Sequence, residues 1–555
     1  MDAYQRLLEG LPNRLPPVRS RRMGEKAVRD AIAVVPLANP AQAASEVEHL
    51  LDAVLAAVWS GGERMAALAH LYAPVASLCR DVEHKLGAES YPLPAGNAAR
   101  AALAQRLEWK LACACALGVH EWCAPVGKIP LFKTKAVAAA CVAGLLHAGQ
   151  TLLWAYRQYA APPAGAWRLL HGLYAFAQEA GVADQAVADP LVAGAATAAR
   201  SVYLQALLLA ASGPQRFSAR ELRDAEAAIR CVADACGLAP GHGPGLGVDA
   251  GSDAGPAYIA EDGWSASTLA LDVAPAARTF DECCALLPAG AEQVELPRPG
   301  GVQRVRVEFL RHVQAGWVTA ARSHGRLAAS HSLEVVVGMH ALHYVLAGGV
   351  DFATFVRRVH SQAIAGGHHE LASASAWAVG ADGLAPPVLR ADVLDQSEGG
   401  YRLRMQVDGS EGARLRVGDM VGLATAADSA DERDWMVGLV RWLKHADAGE
   451  LVGVELLHRT ARAAGLRPVG ADGKPLVPQR AVELPDNGQD RLSLLVASRF
   501  ARDAATAEVV LPALASDWKV PAAAGVWRLG GAEDLGAACV RLTLVRQSDA
   551  AGGAA

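Results

Sequence analysis

The sequence is poor in aromatic residues and lacks Cys-x-x-Cys pairs. Aromatic residues make up 5% of its 555 residues, whereas glycine alone occurs 54 times and alanine is abundant. This composition favours helices packed through small side chains over sandwiches built around aromatic residues. The ten cysteines include no Cys-x-x-Cys pair and no disulfide-dense spacing, which predicts reduced thiols and a cytoplasmic protein.

An excess of positive charge and a long apolar run are also missing. The 52 Lys and Arg residues are outnumbered by 57 Asp and Glu residues, and the net charge of −5 argues against a general DNA- or RNA-binding protein. The N-terminal residues show no basic stretch followed by an apolar one, so we expect no signal peptide. The longest apolar run, residues 136–146, is shorter than the ~20 residues that cross a bilayer. It predicts a buried helix and no membrane span.

A helical pattern dominates the first half of the chain. The chain is too long for one core, because single cores stop growing near ~250–300 residues. Asn39 followed by Pro40 is typical of a helix start, and apolar residues then recur every three to four positions. Residues 237–256 are rich in Gly and Pro and predict a loop, whereas Val302–Thr319 predicts one more helix. We therefore expect an all-α helical domain over residues 1–300. Its helical stretches include Ala98–Cys115, Lys135–Tyr159, Trp167–Ala180, Ala193–Ala211 and Ala219–Cys236.

Short alternating or β-branched segments replace the helical pattern after about residue 320. They predict a small antiparallel β-barrel over residues 301–465, interrupted by a helical segment at Asp351–Ala365. Residues 466–548 predict an additional β segment, and residues 549–555 a disordered tail. The expected fold class is multidomain α+β. The predicted strands are Leu333–Val337, Val388–Leu394, Tyr401–Val407, Asp419–Ala424, Met436–Leu443 and Leu451–Leu457, then Leu492–Ala497, Val509–Leu511, Val526–Leu529 and Val540–Val545.

Two short motifs frame the start of the β region. The first is Arg322-Ser-His-Gly-Arg326, and the second is the turn Asp395-Gln-Ser397-Glu-Gly-Gly400, which enters a predicted strand. Together with the predicted hairpin of residues 438–457, they resemble the PilZ domain, a bacterial receptor for cyclic di-GMP. The resemblance covers about residues 322–457 and implies a PilZ-like barrel. It also implies that the Arg pair clamps guanine and phosphate, and that the acidic-x-Ser-x-x-Gly turn completes the pocket.

The residue types of these motifs suit a guanine nucleotide on chemical grounds. Guanine presents O6 and N7 as acceptors, which match the rigid fork of an arginine such as Arg322 or Arg326. Its N1–H and N2–H₂ edge needs an acceptor, which an ionised Asp395 provides. The Ser397 hydroxyl can bind phosphate or sugar, and Gly400 allows a close approach of the backbone. Two arginines also balance the two phosphate charges of cyclic di-GMP.

The spacing of the two motifs leaves two interpretations open. Arg326 and Asp395 are 69 positions apart, far more than family members usually show. Either the intervening segment loops out of the barrel, or these arginines are not the family's pair. In the second case they stabilise the end of the preceding helix and pair with surface acids. A second Arg-x-x-x-Arg pair, Arg216 and Arg220, precedes a predicted helix and is interpreted as a solvated face.

These observations predict a non-enzymatic cytoplasmic signalling protein. A PilZ-like barrel would bind cyclic di-GMP through Arg322, Arg326, Asp395, Ser397 and Gly400, and the helical domain would relay binding to a protein partner. The alternative is an interaction scaffold with a degenerate barrel that binds no nucleotide. That alternative predicts arginines that point away from the Asp395 carboxylate. A hydrolase or transferase is a third possibility, but no Gly-x-Ser-x-Gly elbow supports it.

Other candidate sites have simpler structural explanations. His340 and His343 share a helical spacing, but no carboxylate spacing completes a metal site with them. We therefore expect no metal and no cofactor. We expect three further polar residues to lie at the surface: His368, His369 and Glu370. We expect Cys113, Cys115, His120 and Cys123 to be buried without a metal. The aromatic residues Trp154, Tyr156, Trp167 and Tyr174 are predicted to lie in the core.

Overall fold

The structure is a computed structural model in which the chain forms two compact units. The first comprises Met1–Glu89 and Leu93–Ala321, and the second comprises Ser90–Pro92 and Arg322–Ala555. Tyr91 pairs with Leu415 of the second unit through two backbone hydrogen bonds of 2.7 and 2.8 Å. The described residues are 2–11, 24–36, 38–87, 89–190, 192, 194–288, 291–298, 301–318, 326–365, 385–405, 414–425, 433–446, 449–470, 472–485, 491–497, 505–511, 525–536 and 539–546.

The first unit is mainly helical, which confirms the prediction for this half of the chain. Asn39 caps the third helix, where its side chain accepts a hydrogen bond from the Gln42 amide, and Pro40 is the first helical residue. Ser218 and Glu221 form a reciprocal capping box at a later helix. The helices are Ala3–Gly10, Glu25–Ala33, Pro40–Ala56, Gly61–Ala69, Tyr72–Leu86, Ala95–Cys123, Thr134–Arg157, Ala166–Glu179, Ala199–Ala211, Ala219–Val232, Ala274–Ala285 and Val307–Trp317.

The core of the first unit is built around the helix Thr134–Arg157. This helix is long and apolar enough to cross a membrane, but 78% of its most apolar window is buried inside the unit, as predicted for the run 136–146. Small residues let its neighbours approach, and a Cβ at Gly144 would lie 2.9 Å from Leu173 Cδ1. The four aromatic residues expected in the core are all buried there: Trp154, Tyr156, Trp167 and Tyr174.

The loop predicted for residues 237–256 is wrong, because this region contains strands of a four-stranded antiparallel sheet. Three of its glycines, Gly241, Gly247 and Gly255, allow close packing against other side chains. A Cβ at Gly241 would overlap the ring of Trp264, and Val248 and Leu271 supply buried apolar side chains. Residues 1–300 are therefore not all-α. The sheet consists of Gly237–Pro240, Gly245–Asp249, Ala257–Ile259 and Thr268–Asp272.

The helix predicted for Val302–Thr319 is also only partly correct. Gln293–Arg298 and Gly301–Arg306 form an antiparallel hairpin, and the helix begins at Val307. Apolar and polar residues alternate in Gln293–Arg298, where Val294 and Leu296 are buried, and this strand pairs with the residues at which the predicted helix began. The hairpin and helix belong to the first unit, which extends to Ala321, past the boundary predicted at residue 300.

The second unit begins with a closed antiparallel barrel, as predicted. Numbered along the chain, its six strands are joined in the order first, fourth, fifth, sixth, third, second, and the second pairs with the first. The short strand Leu327–Ala328 adds to one end of the second strand. Two helices, Gly338–Leu346 and Phe352–Ala365, follow the first strand and confirm the helical insertion. The six strands are Ser332–Val337, Leu389–Ser397, Gly400–Met405, Met420–Thr425, Met436–Ala446 and Gly449–His458.

A second closed barrel follows, where the sequence predicted only an additional β segment. Its six antiparallel strands are joined in the same order as those of the first barrel. Buried residues of the two barrels, among them Leu439 and Leu495, share one apolar cluster. Its first two strands were missed, and in the first of them Gly465 and Pro468 interrupt the alternation of apolar and polar residues. The strands are Arg462–Val469, Gln479–Leu484, Arg491–Ala497, Thr506–Val510, Gly525–Gly536 and Cys539–Arg546.

All ten cysteines lie in the described residues and are free thiols, and their burial predicts their reactivity. Burial raises the pKa of Cys115 to about 12 and that of Cys236 to about 11. Cys231, Cys283 and Cys284 are only half-buried. Because the thiolate is the reactive species, we expect these three to react first with a thiol reagent at pH 8 and all ten to react in denaturant. Equal rates for all ten in the native protein would contradict the structure.

Candidate functional site

The hairpin of the second and third strands of the first barrel brings the two sequence motifs together. Ala328, two residues after Arg326, is the backbone partner of Asp395. This pairing places the Arg326 guanidinium against the carboxylate, with 2.5 Å between Arg326 Nη1 and Asp395 Oδ1. The separation of 69 positions in the sequence therefore does not keep the motifs apart in the fold, because the inserted helices follow the first strand of the barrel and precede the second. Arg322 lies outside the described residues.

Four residues from successive strands form a row across the outer face of this barrel. Asp395 is opposite Arg402, Arg402 is opposite Gly453, and Gly453 is opposite Trp442. Cross-strand partners in an antiparallel sheet share a face, so all four residues lie on the same side. The row begins at the Asp395 carboxylate that Arg326 contacts, and it ends at an indole ring.

Gly453 creates the space that the indole ring occupies. A Cβ at Gly453 would overlap Trp442 Nε1, so the ring lies directly against the glycine backbone. A bulge between Val440 and Trp442 in the fifth strand places the indole in this row. Trp442 is half-buried, and an aromatic ring in this position can stack on a nucleobase.

A second row on the same face contains Ser397, Gly400 and Glu455. Ser397 is opposite Gly400, and Gly400 is opposite Glu455. Gly400 has a φ of +153°, and a Cβ there would overlap the carbonyl oxygen of Val454. The sequence predicted that this glycine lets a ligand approach the backbone. In the structure it is the backbone of the neighbouring strand that approaches Gly400 closely. Ser397 Oγ donates a long hydrogen bond of 3.5 Å to the Gly400 carbonyl oxygen.

The charges of the site alternate between arginines and carboxylates. Arg402 Nη1 lies 3.5 Å from the second carboxylate oxygen of Asp395, so two arginines contact this one acid. Arg441 forms an ion pair with Glu455 and donates a 3.0 Å hydrogen bond to the Leu535 carbonyl oxygen in the second barrel. Within the described part of the chain, the buried Arg402 Nε has no hydrogen-bond partner. Three guanidinium groups against two carboxylates favour an anionic ligand.

An open cavity of about 290 Å³ lies on this face. Arg326, Ser397 and Gly400 line it together with Arg441, Trp442 and Glu455. This volume is close to the lower end of the range for small-molecule sites, which begins at about 300 Å³. The site can therefore offer charge, a hydroxyl and an aromatic face to one small anionic ligand.

Two family models match successive parts of the chain. Residues 26–241 match the family model described as "Cyclic-di-GMP receptor FimW, N-terminal domain". Residues 246–385 and 369–463 match the model described as "Cyclic-di-GMP receptor FimW, middle PilZ domain". The chain belongs to this PilZ-domain family. Both matches end by residue 463, shortly after the sixth strand, so almost all of the second barrel lies beyond them.

One curated relative is similar over more than half of the chain. This relative is the cyclic-di-GMP receptor FimW of Pseudomonas aeruginosa strain PAO1, which is 24% identical over 363 residues. The alignment covers 57% of this chain and 58% of the receptor. The chain therefore matches less than two thirds of the relative's length.

The PilZ barrel unites four of the five predicted site residues: Arg326, Asp395, Ser397 and Gly400 all lie at one hairpin. Sequence reasoning missed Arg402, although its position two residues after Gly400 places it on the same face of the strand. It also missed Arg441, Trp442 and Glu455. No local sequence pattern predicts that these three residues belong to the site, because their location depends on the strand register and on the bulge in the fifth strand.

The alternative of arginines that point away from Asp395 does not fit Arg326, which contacts that carboxylate directly. Among the histidines considered for metal, His343 is buried with Nε2 3.2 Å from the Ala464 carbonyl oxygen. The described residues contain no group of three potential metal ligands. His368, His369 and Glu370 lie outside the described residues.

Proposed function

We propose that this protein binds cyclic di-GMP on the outer face of its PilZ barrel. The observation that carries the proposal is the 2.5 Å contact between Arg326 and Asp395, which joins two motifs 69 positions apart into one site. The match to the PilZ-domain family and the similarity to the Pseudomonas cyclic-di-GMP receptor support the same ligand. The excess of guanidinium groups over carboxylates in the site supports an anionic ligand.

The proposed roles follow from the donors and acceptors of guanine. Arg326 donates a hydrogen bond from one nitrogen, Nη1, to the Asp395 carboxylate. Because a guanidinium group carries five N–H donors, its other donors can reach O6 or N7 of guanine or a phosphate oxygen. Asp395 accepts from the N1–H and N2–H₂ edge, and Ser397 donates to phosphate or sugar. Arg322 provides the second cation of the clamp. Trp442 offers its indole face to the second base.

We further propose that the protein is a cytoplasmic signalling component without catalytic activity, cofactor or metal. Arg322 and Arg326 belong to the segment that connects the helix Val307–Trp317 to the PilZ barrel. A ligand held by both arginines would order this connection, and the helical domain would then relay binding to a protein partner. Such a switch requires different affinities for two arrangements of the connection.

Isothermal titration calorimetry with the full chain tests the ligand. We expect saturable binding of cyclic di-GMP at ~100 µM protein, because a dissociation constant of ~1 µM corresponds to a binding free energy of ~8 kcal/mol. Cyclic di-AMP should bind at least about 100-fold more weakly, because adenine has an amino donor where guanine has the O6 acceptor.

Two outcomes would contradict the proposed ligand. Absence of binding heat at several temperatures, together with no change in equilibrium dialysis, would exclude cyclic di-GMP at micromolar affinity. Equal affinity for cyclic di-AMP would show that the base edges are not recognised and that only the phosphates are bound.

A further inference from the structure

The loop between the two longest helices of the first unit exposes apolar side chains. It joins Ala95–Cys123 to Thr134–Arg157. Leu131 and Phe132 at its end, here called the apolar tip, are 87% and 99% exposed. Large apolar side chains at full exposure are costly unless another surface covers them.

The backbone holds the apolar tip outward. Phe132 has a φ of +64°, a left-handed conformation that is a genuine outlier for a bulky residue. The loop base is fixed, because Gly127 lies directly against the Tyr4 ring and the Lys133 amide donates to the Pro130 carbonyl oxygen at 3.1 Å. Such backbone outliers are retained where function requires them.

The charged residues within the loop that carries the apolar tip have one sign. Residues 126–135 contain Lys128, Lys133 and Lys135 and no acidic residue, in a chain whose net charge is −5. All three lysines are exposed. Two of them flank the first residue of the helix Thr134–Arg157, where acidic side chains are the favourable choice. Their position is therefore not explained by the stability of that helix.

We propose that the apolar tip docks the protein on an anionic phospholipid surface. A bilayer interface offers acyl chains to Leu131 and Phe132 and phosphate groups to the surrounding lysines, so it satisfies both properties of the loop at once. Phe132 is exposed almost completely, so it forms no part of a groove that would fit a folded partner. Nucleic acid would use the lysines but leave the two apolar side chains in water. This docking is peripheral and separate from the nucleotide site.

The affinity of the apolar tip for an anionic membrane should be modest. Each lysine near an anionic surface contributes about a fivefold gain in partitioning, and two apolar side chains cannot hold a protein as a lipid chain does. Binding should therefore require millimolar accessible lipid. It should also fall steeply between 50 and 500 mM salt, because ions screen the lysine–phosphate attraction.

Co-sedimentation of the full chain with lipid vesicles tests the proposal. We expect binding to vesicles of phosphatidylcholine and phosphatidylglycerol at 7:3 and at least tenfold weaker binding to phosphatidylcholine alone. Phe132→Ser should lower binding to the anionic vesicles at least tenfold. The matched control is Leu286→Ser, because Leu286 is 85% exposed in the same unit but lies near acidic residues instead of lysines.

A double variant tests the contribution of the lysines to vesicle binding. Lys133→Ala combined with Lys135→Ala should lower anionic vesicle binding about 25-fold and remove most of the salt dependence. Vesicle binding that is unchanged in Phe132→Ser, or absent in the unmodified chain, would overturn the proposal and leave the apolar tip to a protein partner. Equal binding to neutral and anionic vesicles would overturn the role of the lysines.

Discussion

Replacing Arg326 with alanine should weaken cyclic di-GMP binding by about 10- to 100-fold. A charge-assisted hydrogen bond contributes about 1.5–3 kcal/mol, and about 1.4 kcal/mol corresponds to a tenfold change in affinity. The variant also removes the guanidinium group that contacts the Asp395 carboxylate. Titration calorimetry of the variant against the unmodified chain measures the effect.

The same substitution should barely change stability. The Arg326–Asp395 pair is solvent-exposed on the arginine side, with 43% of that side chain accessible. Exposed ion pairs contribute about 0–1 kcal/mol, and Arg402 remains as a second partner for the carboxylate. Loss of binding with an unchanged melting temperature would therefore separate a ligand contact from a folding defect.

Arg304 provides the matched control for this experiment. It forms an exposed 2.8 Å ion pair with Glu295 within the first unit, whereas the PilZ barrel belongs to the second unit. Arg304→Ala should leave the affinity unchanged. Arg326→Lys should recover only part of the loss, because lysine keeps the charge but not the planar fork. If Arg326→Ala bound cyclic di-GMP as tightly as the unmodified chain, the site would lie elsewhere.

Substituting Gly400 with alanine should destabilise the PilZ barrel by about 2–6 kcal/mol. The added Cβ would overlap the Val454 carbonyl oxygen and lie 3.1 Å from Glu455 Cα, and these backbone atoms cannot move without breaking the pairing of the third and sixth strands. The φ of +153° adds strain for any residue with a side chain. Overpacking and strain each cost about 1–3 kcal/mol.

Hydrogen exchange read by mass spectrometry measures this effect in the intact chain. Amides of the third strand, Gly400–Met405, should lose protection in Gly400→Ala by at least about 30-fold. Gly531→Ala is the control, because a Cβ at Gly531 meets no atom within 4 Å in the second barrel. Normal protection of the third strand in the Gly400 variant would show that the sixth strand can shift to accept the methyl group.

The sequence was a good guide to periodic elements and to the motifs, and a poor guide to strand register. The helix capped by Asn39 and the strands of the PilZ barrel follow from local patterns, which is why they were predicted. The sheet that includes Gly237–Pro240 was missed because local reasoning treats glycine as a sign of flexibility, whereas Gly241 and Gly247 pack against Trp264.

The residues of the candidate site likewise differ in whether a local sequence pattern identifies them. Asp395, Ser397 and Gly400 belong to one turn, so a short motif identifies them. Arg402 could have been found from its two-residue spacing after Gly400. Trp442, in contrast, reaches the site only through the pairing of the fifth and sixth strands and the bulge beside it, and these are decided by packing across the whole barrel.

The shared strand order of the two barrels has a consequence for the history of this chain. Two consecutive barrels with one connectivity are the result that duplication of a single coding segment would leave. In the second barrel, the residues between the second and third strands read Pro-Asp-Asn-Gly-Gln-Asp and do not contain the acidic-x-Ser-x-x-Gly turn. The first barrel therefore carries the turn on which the proposed nucleotide recognition depends. The second barrel shares the connectivity without this turn.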